Sequence, residues 1–322
     1  MKKVLITGGA GFLGSNLARK LISLGHEVTV LDDMSRGKPE RLRDVSCEIF
    51  QGDIRDERIV RGVMHGQDSV VHMAYLQGTQ TFYSEPRQVL DVAIRGMLNI
   101  LSACESEGVG ELLLISSSEA YQVASVVPTP ETIPLTVPDV LNPRYSYGGG
   151  KIACEIMSLA WARTGVLDRV IIARPHNIYG PDMGNEHVIP EFCNRMNALI
   201  RRSENALPGF VLPFPIQGTG QETRSFCYIS DCIDQLVLLL EEAESMNVYH
   251  VGTMEEITIS EVAQSIAHCY DRTVKVIPGT LPKGSPPRRL PDMEKMRQLG
   301  HYYYPEVPFS EGLAKTVEWY RG

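Results

Sequence analysis

Tyr147 and Lys151 stand four residues apart in the run Tyr147-Gly148-Gly149-Gly150-Lys151. On a helix this spacing sets a phenol and an ammonium on one face. A neighbouring positive charge lowers a phenol's pKa, so that its phenolate can accept a proton from a substrate hydroxyl. Three glycines inside a helix cost roughly 1 kcal/mol each against alanine, which marks a close backbone approach. Upstream, Glu111-Leu112-Leu113-Leu114-Ile115 reads as a strand that runs into Ser116-Ser117-Ser118-Glu119. Its hydroxyls would sit at the carboxyl edge of a sheet. A Tyr-x-x-x-Lys pair alone says little, but with those hydroxyls it makes Ser117, Glu119, Tyr147 and Lys151 the candidate catalytic residues.

The glycine turn Gly8-Gly9-Ala10-Gly11-Phe12-Leu13-Gly14 follows the strand Val4-Leu5-Ile6 and opens a helix. In that context backbone N–H groups and the positive helix end meet a pyrophosphate, the dinucleotide fingerprint. Asp32, eighteen residues after Gly14, closes the second strand, where a carboxylate accepts from the adenosine ribose hydroxyls and favours NAD over NADP. Arg36 is a counter-signal, because an arginine there suits a 2′-phosphate. Asp53, after the third strand, either accepts from the adenine amine or forms an Asx turn. The positive nicotinamide would add to Lys151 in lowering the Tyr147 pKa.

These residues need a sheet to hold them. Short β-branched runs at Lys3–Thr7, Glu27–Leu31, Cys47–Gln51, Ser69–Met73, Glu111–Ser116 and Arg169–Arg174 alternate with helical patterns at Phe12–Leu24, Ile59–Met64, Arg87–Glu107 and Tyr147–Thr164. The alternation predicts an α/β fold, a Rossmann doubly wound parallel sheet. Beyond it, helices are expected at Pro190–Arg201 and Asp231–Ala243, and strands at Val248–Val251 and Lys275–Pro278. Thr258-x-x-Glu261 is a capping box before a helix ending near Cys269, and Gly284–Pro291 reads as a loop. The expected organisation is a dinucleotide domain of residues 1–178 plus about 222–252, with a smaller interleaved C-terminal lobe of 179–221 and 253–322 for the substrate.

Bulk composition removes other classes. With 43% apolar and 22% charged residues the chain is an ordinary globular protein. A net charge of −8 disfavours nucleic acid and anionic membranes as partners. Seven scattered cysteines without a Cys-x-x-Cys pair fit reduced core thiols, and no histidine spacing suits a metal, so none is expected. With no signal-peptide pattern and no long apolar run, the expected location is cytoplasmic.

Together the motifs resemble those of the extended short-chain dehydrogenase/reductase family, the nucleotide-sugar epimerases and dehydratases. The likeness rests on Thr7-Gly8-Gly9-Ala10-Gly11-Phe12-Leu13-Gly14, Val71-His72-Met73-Ala74, Ser116-Ser117-Ser118-Glu119-Ala120-Tyr121, Tyr147-x-x-x-Lys151, Arg174-Pro175-His176-Asn177-Ile178-Tyr179-Gly180-Pro181 and Thr223-Arg224-Ser225-Phe226. It implies NAD as cofactor, held by Gly8, Gly11, Phe12, Leu13, Gly14, Asp32, Asp53, Ile54, Ala74, Tyr147 and Lys151. It also implies a nucleotide-diphosphate sugar as substrate, touched by Ser117, Ser118, Asn177, Arg224 and Arg289. Ser117 would bond the sugar C4 oxygen, Tyr147 would be the base and Lys151 its partner. Asn177, Arg224 and Arg289 would hold the diphosphate, and the long helices would pair two copies into a homodimer. The chain departs from the pattern at Ala93, where asparagine is usual, and at Gln122, where glycine is usual.

Hydride removal from C4 gives a 4-keto sugar whose C5 is acidified. On the resemblance, Glu119 lies where dehydratases and decarboxylases carry a glutamate, poised over C5. The expected activity is thus a nucleotide-sugar epimerase or dehydratase working through the 4-ketone. A UDP-glucuronate decarboxylase is the alternative, since Arg289-Leu290-Pro291-Asp292 is similar to that branch, while His176–Cys193 looks more like the GDP-mannose 3,5-epimerase branch. His187 is a candidate acid opposite Glu119 or a plain surface residue. A non-catalytic binding protein is the remaining reading, disfavoured by retention of Ser117, Tyr147 and Lys151.

Overall fold

A computed structural model describes residues 1–202, 210–281, 284–299 and 307–322. Within the expected substrate lobe, residues 203–209, 282–283 and 300–306 therefore lie outside the described residues. Seven parallel strands form one sheet in the order Asn247–Val251, Arg169–Pro175, Glu111–Ile115, Ser69–His72, Lys3–Thr7, Glu27–Asp32 and Glu48–Gln51. The inner strands are buried on both faces, which is why Val4-Leu5-Ile6, Leu112-Leu113-Leu114 and Val170-Ile171-Ile172 read as continuous apolar runs. Strand order reverses beside Lys3–Thr7, and a crevice opens at the carboxyl ends there.

The chain's own chemistry sets the helix limits. The Phe12–Ser23 helix starts at Gly11. The next helix begins at Glu57, two residues before the expected start, because the Asp56 carboxylate accepts from the N–H groups of Arg58 (2.9 Å) and Ile59 (3.3 Å). The long Pro86–Glu107 helix stops at Gly108, whose φ of 71° is left-handed. The glycine-rich helix begins at Tyr145 rather than Tyr147 and runs to Arg163. At Thr258 the capping box is complete: its hydroxyl accepts from Glu261 N at 3.0 Å, and the Glu261 carboxylate accepts from Thr258 N at 2.8 Å.

Several elements differ from the sequence reading, among them a strand, Val211–Pro215, that pairs in parallel with Thr273–Ile277. A short helix, Thr79–Ser84, lies between the fourth strand and the Pro86–Glu107 helix. The Gly284–Pro291 loop contains a strand, Arg288–Arg289, which pairs in parallel with Thr223–Ser225, itself paired on its other side with Glu256–Thr258. Two-residue strands carry no periodicity, so nothing local marks them. Five of the seven cysteines are buried. No helix among the described residues is long and apolar enough to cross a membrane.

Candidate active site

Every catalytic, cofactor and substrate residue named from the sequence lines one cleft of about 630 Å³ at the carboxyl ends of the strands. In its cofactor half, the free N–H groups of the Phe12–Ser23 helix open beside the glycine turn. Gly8, at φ 72°, leaves no room for a side chain: a Cβ would sit 2.9 Å from Ala74 N and Cα. A Cβ at Gly14 would overlap the Gly8 carbonyl oxygen and lie 2.6 Å from Gly9 Cα. Gly14→Ala is therefore expected to push helix and turn apart, at a cost of about 1–3 kcal/mol in stability. Its check is the cofactor released on denaturation, which should be absent from the variant and stoichiometric in the wild type.

The Asp32 carboxylate accepts from Ala10 N (3.0 Å) and Met34 N (2.9 Å). Burial pushes its pKa up, only partly opposed by those two donors. Arg36 donates to the Gln77 carbonyl at 2.5 Å and pairs with Glu186 at 3.2 Å, so its charge is already matched. Asp53 takes the Asx turn, accepting from Arg55 N at 2.8 Å, and grips the Arg55 guanidinium while still facing the cleft.

In the catalytic half, Tyr147 is buried, stacked on Phe82 at 4.6 Å between ring centroids. Burial pushes its phenol up to about 12, against hydrogen bonds from Ser117 and Gln77. Lys151 lies deep beneath Tyr147. Its Nζ donates to the Ile115 carbonyl at 2.7 Å and lies 5.9 Å from the Tyr147 ring centre, with Tyr75 nearer. Burial takes the Lys151 ammonium down to about 8, and the phenol is raised rather than lowered. The physical reason is desolvation, which outweighs a charge at that distance.

Glu119 is the most constrained carboxylate in the cleft. Arg289 Nη1 meets it at 2.8 Å and Arg144 Nη2 approaches to 3.9 Å. Burial raises its pKa, but Arg289, by charge and hydrogen bond, with Arg144 and Arg224 behind, holds it below the ordinary value. Arg289 reaches this position through the unforeseen strand, whose register sets it beside Arg224. Two like charges side by side take Arg224 down to about 10, with burial the larger cause. Asn177, at φ 41°, spends its amide on the Ser225 carbonyl at 2.9 Å. His187 is exposed at the cleft wall, and among the described residues no hydrogen bond or ion pair joins it to Glu119.

Sequence reasoning missed Arg144, Tyr75, Gln77 and Phe82. Arg144 stands three residues before Tyr147, one helical turn away, which was its only signal. For Tyr75 the signal was Gly150, where a Cβ would overlap the Tyr75 hydroxyl; a Cβ at Gly148 would overlap Gln122 Nε2. The two departures belong to this packing. Gln122, at φ 55°, fills the space Gly148 leaves, and Ala93 sits 3.1 Å from where a Gly150 Cβ would be.

A parallel sheet with a glycine-turn helix at its switch point and a Ser-Tyr-Lys set beside it places the chain among dinucleotide-dependent enzymes. The family model described as the NAD dependent epimerase/dehydratase family matches residues 4–252, and the chain belongs to that family. NAD is thus its cofactor, and the cradle of Gly8, Gly14 and Asp32 fits it. The chain is 30% identical over 331 residues to UDP-N-acetyl-alpha-D-glucosaminuronate decarboxylase of Bacillus cytotoxicus, covering 99% of this chain and 98% of that one. It is also 30% identical to dTDP-glucose 4,6-dehydratase of Streptomyces niveus, with 99% and 93% covered. Thermus thermophilus UDP-glucose 4-epimerase, solved as a complex with NAD, superposes with a TM-score of 0.85 at 27% identity, over 99% of each chain.

Proposed function

We propose that this enzyme oxidises a nucleoside-diphosphate sugar at C4, transforms the 4-ketone and returns the hydride to C4. The observation that carries this reading is the meeting of Ser117, Tyr147 and the Glu119–Arg289 pair in the cleft that also holds the glycine-turn cradle. Bound NAD supplies the hydride acceptor. Ser117 orients the C4 hydroxyl, and Tyr147 removes its proton once positive charge beside it brings the phenol down. Arg224 and Asn177 hold the diphosphate, arginine being suited to planar, charge-assisted contacts with phosphate, while Arg289 stays paired with Glu119. The described residues of 179–221 and 253–322 form the lobe that covers the sugar.

For the fate of the ketone, the state of Glu119 favours decarboxylation of a nucleotide uronic acid. A carboxylate gripped by Arg289 and held ionised is a weak base, and loss of CO2 from a 4-keto uronate asks for no base at C5. The C5–C6 bond breaks, its electron pair moves onto the C4 oxygen, and C5 then takes a proton. The relatives named as decarboxylases agree with this. Dehydration or C5 inversion is the second reading, and it requires Arg289 to leave Glu119 for the diphosphate.

The test is incubation in D2O with UDP-glucuronate, UDP-glucose and dTDP-glucose, followed by mass and NMR. Loss of CO2 with one deuterium at C5 of the product is expected. Loss of water from a neutral sugar, or inversion at C4 without mass change, would replace decarboxylation by the other chemistries.

A further inference from the structure

Lys151 has an unusual surrounding for an ammonium. Its Nζ stands 3.9 Å above the centre of the Tyr75 ring, close enough for direct attraction to the ring's negative face. The same Tyr75 donates its hydroxyl to the Tyr147 backbone carbonyl at 3.2 Å, and its ring meets the Tyr147 ring edge-on, 5.0 Å between centroids at 76°. The approach is built into the backbone, because a side chain at Gly150, the residue before Lys151, would overlap the Tyr75 hydroxyl. Phe82 stacks on Tyr147 at 4.6 Å between ring centroids.

We propose that Tyr75 is a positioning residue for the proton-transfer pair: its ring holds the Lys151 ammonium and its hydroxyl ties down the Tyr147 backbone. One side chain from the loop after the fourth strand thereby fixes both partners of a helix it does not belong to. Nothing on the Lys151 helix supplies this. There, Cys154 and Glu155 face Lys151, and Glu155 is already bonded to Arg174 on the neighbouring strand. From the other side Lys151 meets His72, which burial keeps neutral, and the Ile115 carbonyl. Burial favours the neutral amine, charge from Cys154 and Glu155 opposes it, and the aromatic face and the Ile115 carbonyl lie directly against the ammonium.

This inference rests on Tyr147 and Lys151 being the base and its partner, but its test does not require turnover. In the NAD-loaded enzyme the Lys151 ammonium is followed by NMR of the lysine ε-methylene signals, assigned with Lys151→Met. Position 75 is substituted by phenylalanine and by its increasingly fluorinated analogues, which keep the ring's shape and drain its negative face. Tyr75→Phe is expected to leave the titration midpoint near wild type, and pentafluorophenylalanine to lower it by about one pH unit, with steps between. A midpoint unchanged across the series, or one already lowered in full by Tyr75→Phe, would overturn the role of the ring. Because the ring's shape is constant, a merely structural Tyr75 moves nothing along the fluorination series. If instead Tyr147→Phe turned over like wild type, the base assignment would fall while the Lys151 titration still judged Tyr75.

Discussion

Tyr147→Phe is expected to lower turnover by roughly 10²–10⁴-fold while leaving bound NAD and nucleotide-sugar affinity in place. The ring is buried between Phe82 and Tyr75, so phenylalanine keeps the packing and only the proton acceptor is removed. Transfer of hydride from C4 requires the hydroxyl proton to leave in the same step, and water is a poor substitute in a buried site. The measurement is the transient absorbance of reduced cofactor after mixing with substrate, together with substrate affinity by calorimetry. Retention of more than a tenth of the wild-type rate would sink the base assignment.

The pH dependence has a stated sign. The phenol lies near 12 in the protein and Lys151 near 8. The rate should climb with pH as phenolate becomes available, then bend as Lys151 loses its charge above about 8. Tyr147→Phe should abolish the climb.

The second large effect is on stability. Arg174 and Glu155 form a bidentate pair in the core, with Nε–Oε1 at 2.9 Å, Nη2–Oε2 at 2.6 Å and both side chains about 5% exposed or less. Glu155 also accepts from the Ser116 hydroxyl at 2.5 Å, and Arg174 donates to Tyr121, whose hydroxyl meets His250 at 2.7 Å. Arg174→Met strands the carboxylate without a cation and is expected to cost about 3–5 kcal/mol. Replacing both, as Arg174→Met with Glu155→Leu, should cost less than the single change, since no buried charge is left unpaired. Chemical denaturation of the wild type, Arg174→Met, Glu155→Leu and the double variant decides it, and a double variant as unstable as the sum of the singles would refute the coupling. Because the pair joins the Ser116 strand end to the Tyr147 helix, the single variant should also lose activity before it unfolds.

Much of this was legible in the sequence for a reason that also explains the misses. The glycine turn, Asp32 and the Tyr147–Lys151 pair each encode their geometry within one turn, strand or helix, so residue spacing suffices. The Glu119–Arg289 contact joins positions 170 residues apart, and its register depends on a strand of two residues. Gly148 and Gly150 announced that something comes close, but a missing side chain cannot name what fills the gap. The burial that pushes the Tyr147 phenol up, and that any positive charge beside it must overcome, is not revealed by spacing. Helix starts moved by two residues where a cap such as Asp56 set them.

The strand Asn247–Val251 completes the edge of the sheet against Arg169–Pro175. During synthesis, some seventy residues must leave the ribosome between those two partners. Until they do, the Val170–Ala173 stretch, fully buried in the finished fold, offers an unpaired apolar edge to any other nascent chain. The intervening segment must therefore be made, and that edge shielded, before the seven-stranded sheet can close, so the last strand to join sets when the sheet is safe from other chains.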